Sequence, residues 1–247
     1  MSIRRDNMKI YTGLELDVKG GEVVSIIGAG GKTTTLFLLA EELKRLNKKV
    51  LITTTTAIYN PEEGQYDYYF LEDIKDEFNP DKGSITVYGE EIKSGKLIGS
   101  SLLKMDEIIE RKLFDFVLIE ADGSKGKPIK APANHEPVVS KCTTKTIGII
   151  GLDCLGRRIE EIVHRPEIFI EITKADYSDI IDEENIIRLV LNPEGLFKGA
   201  QGEEVLLLNK ACNEGAVVKG KGMRRTLLKE GFNGRVLVTD IKRKKFY

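Results

Sequence analysis

The chain has 247 residues, of which 41% are hydrophobic and 31% are charged, and its 38 Lys and Arg residues nearly balance its 39 Asp and Glu residues. This composition supports a folded globular core and excludes disorder as the default state. The net charge of -1 excludes a general electrostatic attraction to nucleic acid or to anionic membranes, so we expect neither as a partner. We see no linker and predict a single domain over residues 1–247.

The N-terminal segment, residues 1–8, is not followed by an apolar stretch, so we predict no signal peptide. No apolar run is long enough to span a bilayer. The three cysteines, Cys142, Cys154 and Cys212, are far apart and form no C-x-x-C pair, which argues against a disulfide framework or a structural zinc site. These features together favour a cytoplasmic protein with reduced thiols.

A βαβ unit is predicted near the start of the chain. Residues 22–27 (E-V-V-S-I-I) are short, apolar and β-branched, as expected of a buried strand. From Lys32 onward, leucines recur at helical spacing up to Leu46. Residues 49–53 (K-V-L-I-T) then predict a second strand. Strand, helix and strand in this order imply parallel strands with a right-handed crossover.

The rest of the chain continues this alternation of strands and helices. Strand patterns occupy residues 66–71, 84–88, 115–120, 145–151, 204–209 and 235–239, the last of which we expect to end the fold. Helical patterns occupy residues 72–78, 101–112, 165–172 and 182–191. Residues 89–100 fit a loop or an edge hairpin, and residues 121–140 form a long loop rich in Gly, Pro and Lys. We predict a three-layer α/β/α, doubly wound, mostly parallel sheet.

A glycine-rich turn joins the first strand to the first helix, and it predicts a phosphate-binding P-loop. The turn reads Gly28, Ala29, Gly30, Gly31, Lys32, Thr33 and Thr34. Glycines let backbone N–H groups converge on phosphate oxygens, the helix start adds free N–H groups, the lysine reaches the β- and γ-phosphates, and a threonine hydroxyl binds Mg²⁺. The common motif G-x-x-x-x-G-K-[ST] would need glycine at Ile26, so the loop must turn at Gly28 or be shorter than usual. The alternative is a glycine-rich turn with an incidental lysine.

Two carboxylates end the strand at residues 115–120. Glu120 and Asp122 are two residues apart, so in an extended chain both face the same side and both could reach one metal ion. We predict that Lys32, Glu120 and Asp122 are the catalytic residues and that Thr33, Glu120 and Asp122 bind Mg²⁺. Because Asp122-Gly123-Ser124 also suits a turn, one carboxylate could be a cap, and the sequence leaves open which one holds the metal.

A second, anionic ligand is predicted beside the nucleotide. Lys125, Lys127, Lys130 and His135 follow the carboxylates in the long loop, at the edge where α/β sheets bind ligands. Thr55 belongs to a run of four threonines at the end of the second strand, on the same edge. For the basic residues the alternative is a solvated loop, and composition does not decide between a solvated loop and a ligand site. For Thr55 the alternative is simple β-propensity.

These motifs together resemble one family. They are G-A-G-G-K-T-T-T, T-T-T-T, E-A-D-G-S with K-x-P-x-x-H-E-P, G-L-D at 151–153 and L-L-N-K at 207–210. The chain resembles the YqeC-type selenium-dependent hydroxylase accessory proteins from about Gly20 to Ala211. The resemblance implies a P-loop NTPase whose partner is a metallo-hydroxylase or its molybdenum-cofactor maturation machinery. It places the glycine loop at the nucleotide and both carboxylates at the metal. The G-x-x-G-K-T-T core is also similar to the ATP-binding loop of Mur ligases.

A segment late in the chain, Asn209-Lys210-Ala211-Cys212, bears on whether the nucleotide is ATP or GTP. This segment is similar to the N-K-x-D motif by which GTPases read guanine, but Cys212 replaces the aspartate. We therefore expect ATP with Mg²⁺ as the cofactor and GTP as a poorer fit. The alternative for this segment is a plain strand end followed by a loop.

Three functions fit these features: an ATP-hydrolysing accessory protein, a small-molecule kinase or ATP-dependent ligase, and a non-catalytic nucleotide sensor that docks a partner. A deep basic pocket beside the P-loop would favour the second, because transfer needs an acceptor site whereas hydrolysis needs only water. The sequence does not predict the oligomeric state.

Overall fold

Nine strands form one central sheet in the computed structural model, which describes residues 8–247. In spatial order they are β14 (Lys245–Phe246), β13 (Arg235–Asp240), β12 (Glu203–Asn209), β10 (Lys145–Gly151), β1 (Glu22–Gly28), β8 (Phe116–Glu120), β2 (Lys49–Thr54), β5 (Ser84–Gly89) and β4 (Tyr68–Leu71). All neighbours pair in parallel except β14, which pairs antiparallel with β13. The predicted mostly parallel sheet is therefore confirmed. The prediction of no signal peptide concerns a segment that lies almost entirely outside the described residues.

Helices cover both faces of this sheet. They are α1 (Ile10–Gly13), α2 (Lys32–Lys44), α3 (Leu102–Glu110), α4 (Ile159–Ile162), α5 (Pro166–Thr173), α6 (Glu183–Leu191) and α7 (Glu214–Lys229). The α1 and α2 side chains pack into one buried cluster, and those of α3, α5, α6 and α7 pack into another. Strand residues alternate between the two clusters, as Leu118 and Ile119 do on neighbouring positions of β8. The result is a P-loop NTPase-like α/β/α fold.

Two small sheets lie outside the central one. Ala57–Tyr59 (β3), Glu91–Lys93 (β6) and Lys96–Ile98 (β7) form an antiparallel sheet in the order β3-β7-β6, so residues 89–100 are a hairpin. Ile129–Lys130 (β9) pairs in parallel with Val163–His164 (β11). This second pairing attaches the long loop after β8 to the segment that leads into α5.

The helix predicted for residues 72–78 is absent, and a turn takes its place. The Arg111 guanidinium donates hydrogen bonds to the carbonyls of Ile74 and Lys75, which a helix would have used internally. Phe78 packs edge-on against Tyr68 and Phe70. Tertiary contacts therefore override the weak local preference for a helix.

The sequence patterns did not predict α7 or β14, nor the short elements α1, β3, β9, α4 and β11. Three glycines lower the helical propensity of α7, and only Gly220, Met223 and Leu227 are buried, so its apolar stripe is narrow. Its position is fixed by close packing: a Cβ on Gly220 would lie 2.8 Å from Val238 on β13. The expectation that residues 235–239 form the last strand is wrong, because β14 follows it at the sheet edge.

Among the helices of residues 8–247, none combines the length and the apolar character that crossing a bilayer requires.

Candidate functional site

The centre of the sheet places the predicted motifs side by side. Strand β1 lies between β10 and β8, and β2 follows β8. Because these strands are parallel, the loop after Gly28, the carboxylates after β8 and the residues after Thr54 all emerge at one edge. Register confirms the proximity, since Ile26 pairs with Glu120 and Thr54 pairs with the same residue from the other side. Such an edge is where open α/β sheets bind ligands.

The glycine loop between β1 and α2 is only three residues long, because β1 ends at Gly28 and α2 begins at Lys32. Ile26 stays within β1, so the loop both turns at Gly28 and is shorter than the common form. Gly30 has a φ of +82°, and a Cβ there would lie 2.3 Å from the backbone nitrogen of Gly151. No other residue fits this position without moving the neighbouring strand end.

Four backbone amides at the start of α2 are available to a ligand. An α-helix leaves its first four N–H groups without intrahelical acceptors, and here they belong to Gly31, Lys32, Thr33 and Thr34. No side chain within residues 8–247 caps them, and the cap residue Gly31 has a φ of +133°. The amides of Ala29 and Gly30 are already used by the carbonyls of Ile149 and Lys127. The free donors therefore form one cluster at the positive end of the helix dipole.

Lys32 is almost completely buried among acceptors. Its side chain is 3% exposed, and its Nζ donates a 2.7 Å hydrogen bond to the carbonyl of Gly28. The same Nζ lies 3.2 Å from Asp122 Oδ1 and 3.6 Å from Glu120 Oε1. The Lys32 ammonium thus lies at the glycine loop, between the two predicted carboxylates.

The carboxylates of Glu120 and Asp122 make different contacts. Glu120 accepts a 2.8 Å hydrogen bond from the hydroxyl of Thr33, at the helix start. Burial raises the pKa of Glu120 above its ordinary value, although Lys32 and the Thr33 hydrogen bond oppose the shift. Glu120 lines the open cleft beside the loop, which makes it the carboxylate that a ligand can reach.

Asp122 is directed instead at the protein's own backbone. Its Oδ2 accepts a 2.9 Å hydrogen bond from the Gly28 amide and lies 2.9 Å from the Lys130 ammonium. Its Oδ1 is buried and has only the ion-pair contact with Lys32, without a hydrogen bond, among the described residues. Asp122 therefore anchors the glycine loop to the end of β8.

The long loop after Asp122 is fixed by a buried ion-pair chain. Lys130 Nζ lies 2.5 Å from Glu136 Oε2, and the Arg165 guanidinium binds both oxygens of Glu136 at 2.7 and 3.0 Å. Burial would raise the pKa of Glu136, but the hydrogen bonds from Arg165 and Lys130 outweigh it and lower that pKa to about 2. The chain runs from Asp122 through Lys130 and Glu136 to Arg165, so the loop is held on two sides.

A cleft of about 560 Å³ opens over the start of α2. Its charged lining comprises six cations and two carboxylates: Lys32, Lys96, Lys125, Lys127, Arg165, Lys210, Glu120 and Glu136. The remaining lining includes Thr33, Thr34, Thr56 and the exposed ring of Tyr59. The lining of the cleft thus contains more cations than carboxylates, in a chain whose net charge is -1.

The residues predicted for a second ligand separate into two groups. Lys125 and Lys127 line the cleft. Thr55, Lys130 and His135 do not. The Thr55 hydroxyl donates to the Val138 carbonyl, Lys130 is 2% exposed within the ion-pair chain, and His135 is exposed on the loop. The Nζ of Lys127 donates a hydrogen bond to the Glu161 carbonyl, so Lys127 is attached to α4.

Several cleft residues have no sequence signal that identifies them. Arg165 and His164 reach the site because β11 pairs with β9, a two-residue contact that no local pattern predicts. Tyr59 and Lys96 reach it through the small antiparallel sheet. Asn209 does carry a signal, the likeness to N-K-x-D, but it serves the fold. Its amide nitrogen donates to the Gly30 carbonyl and its oxygen accepts from the Ile241 amide.

His164 is kept uncharged by its surroundings. Burial and the neighbouring cations Arg165, Lys130 and Lys125 lower the pKa of His164 to about 4. An imidazole with this pKa is neutral near pH 7 and adds no charge to the cleft.

Comparison with known proteins identifies the family of this chain. Residues 24–167 match the family described as YqeC protein. The chain belongs to the YqeC family. A curated member, the uncharacterized protein YqeC of Escherichia coli (strain K12), is 36% identical over 180 residues, which is 71% of this chain and 70% of that protein. The YqeC match begins within β1 and ends in α5, so it includes the glycine loop, both carboxylates and Arg165.

Proposed function

We propose that the chain binds a magnesium nucleoside triphosphate in the cleft, with ATP preferred over GTP. The observation that carries the proposal is the cluster of four free amides at residues 31–34 directly beside the Lys32 ammonium and the Thr33–Glu120 hydrogen bond. Amides and an ammonium at a helix start are donors suited to phosphate oxygens. The hydroxyl and carboxylate next to them are oxygen ligands suited to Mg²⁺.

The donor set fits magnesium rather than a metal that needs a protein cage. No group of three or more His, Cys, Asp or Glu side chains within residues 8–247 could enclose a metal ion. Magnesium keeps several waters and takes one or two protein oxygens together with phosphate oxygens. Thr33 and Glu120 would supply those oxygens, and the buried Asp122 Oδ1 would accept from a metal-bound water. When bound, the ion neutralises phosphate charge.

Hydrolysis of ATP in the service of a selenium- or molybdenum-dependent hydroxylase is the activity we propose for this site. Support comes from the resemblance of the motifs to the YqeC-type accessory proteins. A water molecule is the only co-substrate such a reaction needs, and the cleft is open at the start of α2.

A second candidate is transfer to a small acceptor, as in a kinase or an ATP-dependent ligase. It is favoured by the basic wall, since Lys96, Lys125 and Lys127 line the cleft in addition to the groups near the glycine loop. Hydrolysis alone gives no reason for these extra cations, whereas an anionic acceptor does.

Calorimetric titration with the non-hydrolysable analogue Mg-AMP-PNP tests the binding proposal. Binding by the unsubstituted protein and its loss in Lys32→Ala are the expected results. Undiminished affinity in Lys32→Ala would exclude this loop as the phosphate site. Phosphate release from Mg-ATP without any added acceptor would then favour hydrolysis over transfer.

A further inference from the structure

One wall of the cleft carries an aromatic ring that packs against nothing large. Tyr59, on β3, is 73% exposed although it lines the cleft. The Lys96 ammonium, on the neighbouring strand β7, lies 5.6 Å from the centre of that ring. An exposed aromatic face paired with a cation is a surface on which flat ring systems stack.

Half of the cations that line the cleft have no carboxylate partner among the described residues. The other three are paired: Lys32 with Glu120 and Asp122, Arg165 with Glu136, and Lys210 with Asp153. Within residues 8–247, Lys96 and Lys125 have no carboxylate partner, and both lie on the cleft wall.

Strand order determines which end of a bound triphosphate faces Tyr59. Magnesium held by Thr33 and Glu120 would place the γ-end of a bound triphosphate on the side of Glu120 and β8. Strand β2 follows β8 in the sheet, and Tyr59 comes five residues after the end of β2. The nucleoside, attached at the opposite end of the phosphates, would extend away from Tyr59. The Tyr59 ring would then lie beyond the γ-phosphate, out of reach of the base of the same nucleotide.

We propose that Tyr59 and Lys96, with Lys125 across the cleft, form a separate binding site for a second ligand. The ligand is a small planar aromatic compound that carries a phosphate group. Its ring stacks on Tyr59, and its phosphate is held by Lys96 and Lys125. The site rests on the proposed nucleotide function for its position beside the γ-phosphate, but its own contacts involve none of the glycine-loop residues.

Phosphate compounds with and without an aromatic ring test this site. Protein saturated with Mg-AMP-PNP is titrated calorimetrically with AMP, UMP and FMN, and with ribose 5-phosphate, which is a sugar phosphate without an aromatic ring. At least one ring-bearing probe should bind about tenfold more tightly than ribose 5-phosphate, the size expected of one stacked ring. Equal affinities for all four probes would overturn the inference.

Substitutions then locate the effect. Tyr59→Leu should abolish the ring-dependent advantage, whereas Tyr177→Leu, at a half-exposed tyrosine outside the cleft, should keep it. Lys96→Gln should weaken all phosphate probes several-fold, with Lys93→Gln on the same small sheet as its control. If Tyr59→Leu instead weakens Mg-AMP-PNP as much as it weakens AMP, the ring belongs to the nucleotide base and the second site is wrong.

The two proposals fail separately. If Mg-AMP-PNP does not bind the unsubstituted protein, the nucleotide function is wrong. The ring-bearing probes are then titrated without nucleotide, and the loss of their advantage in Tyr59→Leu still decides whether the aromatic site exists.

Discussion

The backbone amide of Gly28 donates a 2.9 Å hydrogen bond to Asp122 Oδ2, joining the end of β1 to the residue two positions beyond β8. This contact commits one oxygen of Asp122 to the glycine loop. Glu120, in contrast, receives the Thr33 hydroxyl and faces the cleft. The two neighbouring carboxylates therefore differ in their surroundings: Asp122 binds the glycine loop, and Glu120 lines the cleft.

We expect Glu120→Gln to change mainly the magnesium dependence of nucleotide binding and Asp122→Asn to change mainly the unfolding temperature. The first should remove most of the magnesium dependence of nucleotide affinity while leaving the unfolding temperature nearly unchanged, because it removes the charge that the metal would meet. The second should lower the unfolding temperature, because it breaks contacts with Gly28, Lys32 and Lys130 and leaves two lysines under-compensated. Calorimetric titration of AMP-PNP with and without Mg²⁺, together with thermal unfolding, measures both quantities. Reversed behaviour of the two variants would assign the metal to Asp122.

Lys32→Ala should weaken Mg-ATP binding by roughly a hundredfold, because a charge-assisted contact contributes about 1.5–3 kcal/mol. The sequence alone predicts no loss of stability, since Lys32 lies outside the apolar stripe of α2. The structure changes this expectation. Lys32 is 3% exposed between Glu120 and Asp122, and removing it leaves buried carboxylates without their cation.

Thermal unfolding and titration of the same Lys32→Ala sample separate the two effects. Lys44→Ala is a suitable control, because Lys44 lies at the far end of the same helix and pairs with a half-exposed aspartate. A control variant that loses nucleotide binding equally would show that general damage to α2, not the loss of Lys32, explains the result.

Gly30→Ala should disrupt the loop far more than Gly126→Ala. Both glycines have a positive φ, +82° and +73°, so both substitutions carry the same kind of backbone strain. Only at Gly30 would the added Cβ lie 2.3 Å from the backbone of Gly151, whereas nothing lies within 4 Å at Gly126. Urea unfolding of both variants isolates the steric contribution. A similar loss of stability in the two would mean that the contact between the loop and the β10 end relaxes at little cost.

The imidazole of His164 should titrate near pH 4. The chain has only two histidines, so the ¹H–¹³C spectrum of His135→Asn leaves a single imidazole to follow. Burial and nearby cations lower the folded-state pKa to about 4 from the ordinary 6.5. In this window the unfolded chain binds the proton more readily, so His164 makes stability fall as the pH drops from about 6.5 to about 4.

Anion binding in the cleft offers an internal check on the cause of this shift. A phosphate held near Arg165 and Lys125 would offset the cations that disfavour protonation, so added phosphate should move the His164 midpoint upward. A midpoint near 6.5 without any anion would contradict the assigned environment.

Much of the fold follows from local patterns. Apolar, β-branched runs predicted the strands of the central sheet other than β14 within a residue or two, and helical patterns predicted α2, α3, α5 and α6. The wrong or missing predictions have one cause, because they lie where the local preference for a helix or a strand is weak. Within residues 72–78, the Ile74 carbonyl accepts a hydrogen bond from the side chain of Arg111, which is distant in sequence. The position of α7 depends on its packing against β13.

The amino-acid sequence by itself determined the glycine loop, Lys32, Thr33 and the two carboxylates, because each motif is contiguous and follows a recognisable strand. Only the tertiary structure decided how the carboxylates divide their roles and which other side chains join them. Arg165 enters through the β9–β11 pairing, and Tyr59 and Lys96 enter through the β3–β7 pairing. Such contacts join segments far apart in the chain, and their free energy depends on packing and desolvation that no short pattern of residues contains.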